Sequence, residues 1–428
     1  MEVTRRAFLT AAAATTAAAA TGAFAADKFA RDRDWTGNEP VTYPEPAWEV
    51  MDKRFTARQG NATLQRIWHG MGNDAALWCE GPAWLGDWGS LIWSDIPNHR
   101  TLRWNEEAWH ELRLLPRSLV DVSRIDTTVE LLGRTLQHPI VVAPTAAQAN
   151  YHPEGEAATR RGASEAEALA VMSSLGSTPL ADVGAAASGP WAFQLYVQSD
   201  RDFTAALVEQ AVDAGAEALV LTADTPLLGA RDRDRRTGGH TVDGLLPPAL
   251  DGAPPSVVLP ESPRPPDRIY NTHINPAVTW ESLEWLVDQS RVPVWVKGVV
   301  RPDDARRSVD AGAAGIVVSN HGARNLDTCI ATADALPGVV LAVDGAVPVL
   351  VDSGIRRGTD IAKALILGAD AVLVGRPVVW GLAAAGAAGV QWVLETLWRE
   401  LAMAMGLLGA PSIAELTPDL IQPSRSAL

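Results

Sequence analysis

Cysteine is scarce in this chain of 428 residues, which contains only Cys79 and Cys329. The two lie far apart and form no CxxC spacing, which argues against a zinc site or a redox dithiol. Two isolated thiols are therefore expected, with a disulfide between them as the alternative.

Basic residues are fewer than acidic ones, since the chain has 36 Lys and Arg and 51 Asp and Glu, giving a net charge of −15. This charge argues against nucleic acid or anionic lipid as the main partner and favours small or neutral ligands.

The first 25 residues have the pattern of an export signal. Arg5 and Arg6 precede a weakly apolar run rich in Ala and Thr, and the segment ends at an A-x-A cleavage pattern, Ala23-Phe24-Ala25. Paired arginines in this position are typical of twin-arginine export. A periplasmic or extracellular location is expected if the signal is used, and a cytoplasmic one otherwise. An Ala-rich terminal helix is the alternative interpretation.

The composition changes near residue 104. Eight of the 16 tryptophans precede this point, although nearly all of the net negative charge follows it. We therefore predict three parts: a signal segment of residues 1–25, a segment of residues 26–104, and a larger unit of residues 105–428.

Short apolar runs alternate with helical stretches eight times from residue 139 onward. The runs are PIVVAPT, AVMSSL, PWAFQLYV, ALVLTADTP, PVWVKGV, GIVVSNHG, PVLVDSGI and AVLVGRP. Several helical stretches, such as DRDFTAALVEQAVDAG, end at Gly, which suits a left-handed C-cap. Eight strand and helix repeats with strands too apolar to face water predict an α/β fold, the parallel (β/α)8 TIM barrel. A doubly wound open sheet is the alternative.

Polar residues follow all eight apolar runs, at the strand ends where such barrels carry their active sites. One such residue could be a satisfied core group, and for a lone His that is the favoured interpretation. Eight consecutive polar strand ends indicate a site instead. These residues are Pro144, Thr145, Ser173, Gln194, Tyr196, Thr222, Asp224, Lys297, Ser319 to Arg324, Asp352 to Arg356, Gly375 and Arg376.

The last two strand ends predict a phosphate site. DSGIRRG and VGRP offer backbone N–H groups from Gly354 and Gly375 and the guanidinium groups of Arg356 and Arg376. The loops after strands seven and eight of such barrels commonly bind phosphate. A phosphorylated substrate and a phosphorylated cofactor fit this pattern equally well.

Six motifs in chain order, QLYV, LTADTP, VKG, SNHGARNLD, DSGIRRGTD and GADAVLVGRP, resemble the FMN-dependent α-hydroxy acid dehydrogenases and oxidases. The resemblance covers roughly residues 105–428. It implies FMN as cofactor and the oxidation of an L-2-hydroxy acid, of the lactate, glycolate or mandelate kind, to the 2-oxo acid. It also implies that oxygen or a quinone accepts the electrons and that the chain forms a homo-oligomer.

The resemblance also implies roles for individual residues. Expected at FMN are Pro144, Thr145, Ala146, Ser173, Gln194, Thr222, Lys297, Ser319, Asp352, Gly354, Arg356, Gly375 and Arg376. His321 is implied to be the catalytic base, with Asp224 orienting its imidazole. The substrate is implied to bind through its carboxylate to Arg324 and Arg231 and through its oxygen to Tyr196, while Lys297 stabilises the reduced flavin. No metal site is expected.

Residues 27–104 resemble the opening of the gluconolactonase and senescence-marker propellers, and a short all-β fragment is expected there. In that family the Glu of the EGP motif, here Glu80, is a ligand of the catalytic metal. Only about one blade is present, so the remaining ligands are missing. A metal-dependent lactone hydrolase is nevertheless the second hypothesis. A third is an FMN barrel with impaired catalysis, because the Tyr-bearing helical segment that precedes the barrel in the FMN family is not recognisable here.

Overall fold

The structure, a computed structural model, describes residues 63–69, 74–80, 100–229, 247–258, 260 and 269–423. Of residues 63–69 and 74–80 it describes the backbone only. All of these residues belong to one compact unit, Arg54–Leu428. The predicted signal segment and Arg231 lie outside the described residues. Cys329 carries a free thiol.

Two antiparallel strands, β1 (Thr63–His69) and β2 (Asp74–Glu80), lie within the predicted propeller-like segment. Thr63 pairs with Glu80 and His69 with Asp74. One strand pair is less than the four-stranded blade that a propeller repeats. The resemblance to a propeller therefore stays a prediction.

The chain enters the barrel through a helix and a hairpin. Helix α1 (Arg100–Glu111) runs directly into β3 (Leu112–Leu114), and β4 (Val129–Leu131) and β5 (Arg134–Leu136) form the hairpin. Leu132 and Gly133, at the hairpin turn, both have positive φ, as a tight type I′ turn requires. Leu131 and Leu136 belong to the same cluster of buried side chains as the barrel interior, so the hairpin packs against the barrel core.

Eight parallel strands form a closed barrel, and each is followed by a helix. In chain order the elements are β6 (Ile140–Val142), α2 (Gly155–Glu165), β7 (Ala170–Ser173), α3 (Leu180–Ala185), β8 (Trp191–Leu195), α4 (Arg201–Asp213), β9 (Leu219–Thr222), α5 (Trp280–Gln289), β10 (Val294–Val299), α6 (Pro302–Asp310), β11 (Gly315–Val318), α7 (Thr332–Val343), β12 (Val349–Val351), α8 (Gly358–Ile366), β13 (Ala371–Val374) and α9 (Arg376–Leu408). Strand β13 pairs with β6 and closes the barrel. The last strand, β14 (Ile421–Pro423), pairs with β3. The predicted barrel and all eight predicted strands are confirmed.

The barrel strands are buried on both faces. Side chains such as Val141, Val220 and Leu350 fill the barrel interior, while neighbours such as Val142 and Leu221 pack against the helices. Burial on both faces explains why the strands are continuous apolar runs without polar alternation.

Helix α9 is the one helix in the described part of the chain that is long and apolar enough to cross a membrane, and half of its most apolar window is buried in the protein. It packs against α2, and non-helical φ/ψ values at Ala385 and Gly386 interrupt it. This is the position of a core helix of the barrel.

Candidate active site

His321 lies on a left-handed turn directly after β11. Residues His321–Ala323 form one turn of 3₁₀ helix, with φ values of 58° at His321, 63° at Gly322 and 63° at Ala323. Left-handed backbone costs a residue other than Gly about 1–2 kcal/mol. We call residues 321–323 the catalytic turn. Its strain must be offset by contacts from neighbouring elements.

The imidazole of His321 pairs with the carboxylate of Asp224, which follows β9. Nδ1 lies 2.7 Å from Oδ1 of Asp224, and the Thr225 hydroxyl donates to the same oxygen over 2.9 Å. Burial alone would raise the pKa of Asp224, but His321 and Lys297 outweigh it and lower that pKa. An ionised carboxylate only accepts, so Nδ1 carries the hydrogen. In the neutral form of the imidazole, Nε2 then has the lone pair and can take a proton from a ligand.

Lys297 is a buried cation at the carboxyl end of β10. Its Nζ lies 2.8 Å from Oδ2 of Asp352 and donates to Oγ of Ser319 over 2.8 Å. Burial acts to lower the pKa of Lys297, yet the carboxylates of Asp352 and Asp224 raise it above its usual value. The ammonium group is therefore charged and fixed in place, as stabilisation of a negative charge requires.

The Gly of the VKG motif makes room for Asp224. Strand β10 has a register irregularity between Lys297 and Val299, and Gly298 has a φ of 109°. A Cβ atom there would lie 2.5 Å from Cβ of Asp224. The motif therefore needs Gly both for the backbone angle and for the approach of Asp224.

Gly298→Ala should lower the free energy of unfolding by about 2–4 kcal/mol, from positive-φ strain plus overpacking against Asp224. It should also slow reduction of the FMN that the sequence resemblance implies, because Asp224 must move relative to His321. Denaturant unfolding and stopped-flow reduction measure the two effects. Gly345→Ala is the matched control, since its φ is also positive, at 71°, but nothing lies within 4 Å of the added carbon. An equal loss in both variants would contradict the role given to the Asp224 contact.

Three guanidinium groups lie close together beyond the catalytic turn. Desolvation lowers the pKa of Arg324 to about 10. Desolvation, together with the charges of Arg324 and Arg356, lowers the pKa of Arg376 to about 9. Arg356 pairs with Glu106 at 2.9 Å, and Arg376 donates to the Gly322 carbonyl over 2.9 Å. Clustered, desolvated positive charge fits an anionic ligand such as a phosphate dianion or a carboxylate.

A chain of polar side chains crosses three neighbouring strand ends. Ser173 donates to Oε1 of Gln194 over 2.9 Å, and Nε2 of Gln194 donates to Thr222 over 3.0 Å. All three side chains are buried. Pro144, Thr145 and Ala146 are partly exposed at the adjacent strand end, after β6. A buried polar edge of this kind suits the heteroatoms of a flat ring system.

Helix α1 supplies contacts to this site that the sequence analysis missed. Asn105 and Asn320 exchange two side-chain hydrogen bonds of 2.9 and 2.7 Å, and Trp109 donates to the Ser353 carbonyl over 3.1 Å. Thr101 donates to Asp327. Thr101, Asn105 and Trp109 share one helix face at a spacing of four residues, and this buried stripe is the signal that could have identified them. The predicted boundary at residue 104 falls inside α1.

The remaining predicted residues are placed as follows. Tyr196 is buried after β8, and Ser319 binds the His321 N–H over 3.0 Å. The predicted partner Arg231 lies outside the described residues. A cavity of about 260 Å³ borders Tyr196, Thr222 and Thr225, but neither His321 nor Arg324 lines it. In the part of the chain that the structure describes, no group of three His, Cys, Asp or Glu side chains could hold a metal ion.

A family model described as FMN-dependent dehydrogenase matches residues 91–423. The chain belongs to this family. An L-lactate oxidase of Nostoc sp. is 46% identical over 332 residues, which cover 75% of this chain and 89% of the relative. A peroxisomal (S)-2-hydroxy-acid oxidase of Oryza sativa subsp. japonica is 46% identical over 325 residues, covering 75% and 87%.

Solved structures of the family have the same barrel. A mandelate oxidase with (S)-2-phenylpropionate has a TM-score of 0.68 at 38% identity, covering 80% of this chain and 93% of the other. An active chimera of (S)-mandelate dehydrogenase has a TM-score of 0.72 at 32% identity, covering 80% and 96%. The predicted family, its cofactor FMN and the oxidation of 2-hydroxy acids are thereby confirmed. The matched region begins at residue 91 and so includes all of α1.

Proposed function

We propose that the protein oxidises an L-2-hydroxy acid of the lactate, glycolate or mandelate kind to the 2-oxo acid, with His321 as the base. The observation that supports this assignment is the His321 and Asp224 pair at 2.7 Å, with Lys297 close enough for its charge to lower the pKa of Asp224. Oxidation of the hydroxy acid releases two electrons and two protons. Bound FMN would supply the acceptor for the electron pair and the second proton. The Nε2 atom of His321 takes the first proton, and the carboxylate of Asp224 stabilises the imidazolium that results.

The other side chains hold the reactants. Arg324, together with the predicted partner Arg231, would bind the substrate carboxylate through planar bidentate hydrogen bonds. Arg356 and Arg376, with the N–H groups around Gly354 and Gly375, would hold the FMN phosphate. The Ser173, Gln194 and Thr222 chain would face the heteroatoms of the flavin ring, and Lys297 would stabilise its negative charge.

Oxygen is the electron acceptor that we propose, because relatives at 46% identity are named as oxidases. A membrane quinone is the alternative. Export by the twin-arginine route, assembly into a homo-oligomer and the propeller origin of residues 26–104 also stay predictions. The family match across α1 favours the intact oxidase over the barrel with impaired catalysis.

The visible absorption spectrum of the purified protein tests the proposal. Under anaerobic conditions, L-lactate, glycolate and (S)-mandelate are added in turn. Bleaching of the flavin by one of them, followed by hydrogen peroxide on admission of air, is the expected result. A flavin that none of them bleaches would support the impaired barrel. If the bleached flavin is reoxidised only by a quinone, the quinone and not oxygen is the electron acceptor. Metal-dependent hydrolysis of a lactone by the protein would support the alternative of a lactone hydrolase.

A further inference from the structure

Ser353 connects the loop after β12 to the catalytic turn. Its hydroxyl accepts from the Gly322 N–H over 3.0 Å and donates to Oδ1 of Asp352 over 2.7 Å. Because an N–H group can only donate and a carboxylate can only accept, the direction of both hydrogen bonds is fixed. The hydroxyl therefore ties the middle of the catalytic turn to a buried carboxylate.

These bonds belong to a closed ring. Asp352 pairs with Lys297, Lys297 donates to Ser319, and Ser319 accepts from the His321 N–H over 3.0 Å. Ser353 closes the ring through Gly322, the residue after His321. Every side chain of the ring is buried, and buried networks with all members satisfied hold their geometry tightly.

Ser353 is itself in a strained conformation. Its φ is 74°, a left-handed angle that Gly adopts without steric cost. Contacts of the residue offset this strain: its carbonyl accepts from Trp109 and Thr332, and its hydroxyl accepts from the Gly322 N–H. The hydrogen bond with Gly322 is the one that the side chain makes to the catalytic turn, whose residues 321, 322 and 323 are left-handed.

We propose that Ser353 is a positioning residue that holds the catalytic turn in its left-handed conformation and so keeps His321 aimed at Asp224 and the substrate. This inference rests on the proposed function, in which His321 is the base. Ser353 contacts the catalytic turn through its hydrogen bond with the Gly322 N–H. It acts through the backbone of Gly322.

The test compares Ser353→Ala and Ser353→Gly with the wild type, all loaded with FMN. Both variants lose the hydroxyl, but only Ala keeps the strain at position 353. Both should take up deuterium faster in residues 319–326, by up to about tenfold, as expected for one lost hydrogen bond. Both should reduce flavin about tenfold more slowly with L-lactate, or with whichever 2-hydroxy acid bleaches the wild type, while FMN affinity changes less than the rate.

A second substitution separates positioning from general damage. Ala323→Gly removes the left-handed strain at 323, so the double variant Ser353→Ala with Ala323→Gly should recover part of the lost rate. Unchanged deuterium uptake, an unchanged rate, a rate lost only in the Ala variant, or a rate that falls in proportion to FMN affinity would each overturn the proposal. If no 2-hydroxy acid reduces the wild-type flavin, the proposed function fails, and deuterium uptake alone still decides whether Ser353 holds the turn.

Discussion

Replacing His321 with Ala should leave FMN bound and slow its reduction by a 2-hydroxy acid by about 10²- to 10⁴-fold, the range for loss of a positioned base. In the neutral imidazole, Nε2 of His321 has the lone pair that the proposed base needs, because Nδ1 donates to Asp224. The side chain is 24% exposed, so a substrate can reach it. Anaerobic stopped-flow spectroscopy measures the rate, and the ratio of flavin to protein absorbance measures occupancy.

His110→Ala is the matched control for this variant. His110 is an exposed residue in the last turn of α1, and its loss should leave the reduction rate within about twofold of the wild type, as surface substitutions usually do. Reduction that survives in the His321 variant would assign the base to another residue. Loss of FMN from that variant would instead show that His321 supports the cofactor site.

The barrel could be predicted because its signal is local. Each strand is a continuous apolar run such as GIVV at residues 315–318, and each helix begins and ends at recognisable residues. The strand ends then bring polar residues together by a general rule of the fold, without knowledge of any pairing. For this reason His321, Asp224 and Lys297 could be grouped correctly, although 97 positions separate His321 from Asp224.

The contacts that helix α1 makes to the loops of the site could not be predicted in the same way. The pair of Asn105 and Asn320 joins positions 215 residues apart, and nothing in either local pattern indicates the other. The Trp-rich stretch overlaps the start of α1, so the change in composition does not mark where this helix begins. Trp109 donates a hydrogen bond to the Ser353 carbonyl, so the helix that spans residue 104 contacts the barrel.

The positive φ of Ser353 also lies beyond sequence reasoning. A Ser in DSGIRRG gives no sign that its backbone is left-handed, because the following Gly354, with a φ of 86°, is the residue that the pattern marks for such an angle. Strained positions beside a proposed catalytic residue such as His321 are where local rules are expected to fail.

Arg376→Met should lower FMN affinity by about 100-fold, because loss of one charged hydrogen-bonding partner of a phosphate costs about 2–3 kcal/mol. Met keeps most of the aliphatic stem and removes the charge. Desolvation, together with the nearby charges of Arg324 and Arg356, lowers the pKa of Arg376 to about 9. Its removal relieves this repulsion, which offsets the lost hydrogen bond to the Gly322 carbonyl.

Arg376→Met should therefore change the stability of the FMN-bound protein more than that of the FMN-free protein. Without FMN, the variant should unfold within about 1 kcal/mol of the wild type, the net size of a single hydrogen bond. At an FMN concentration that saturates the wild type, FMN binding should stabilise the variant by about 2.7 kcal/mol less than it stabilises the wild type, because a 100-fold loss of affinity corresponds to this free energy.

Fluorescence titration measures the FMN affinity, and thermal unfolding with and without FMN measures the stability of both forms. Arg301→Met, at an exposed position before α6, is the control and should change neither. Equal destabilisation of both states would make Arg376 a structural residue and place the phosphate elsewhere.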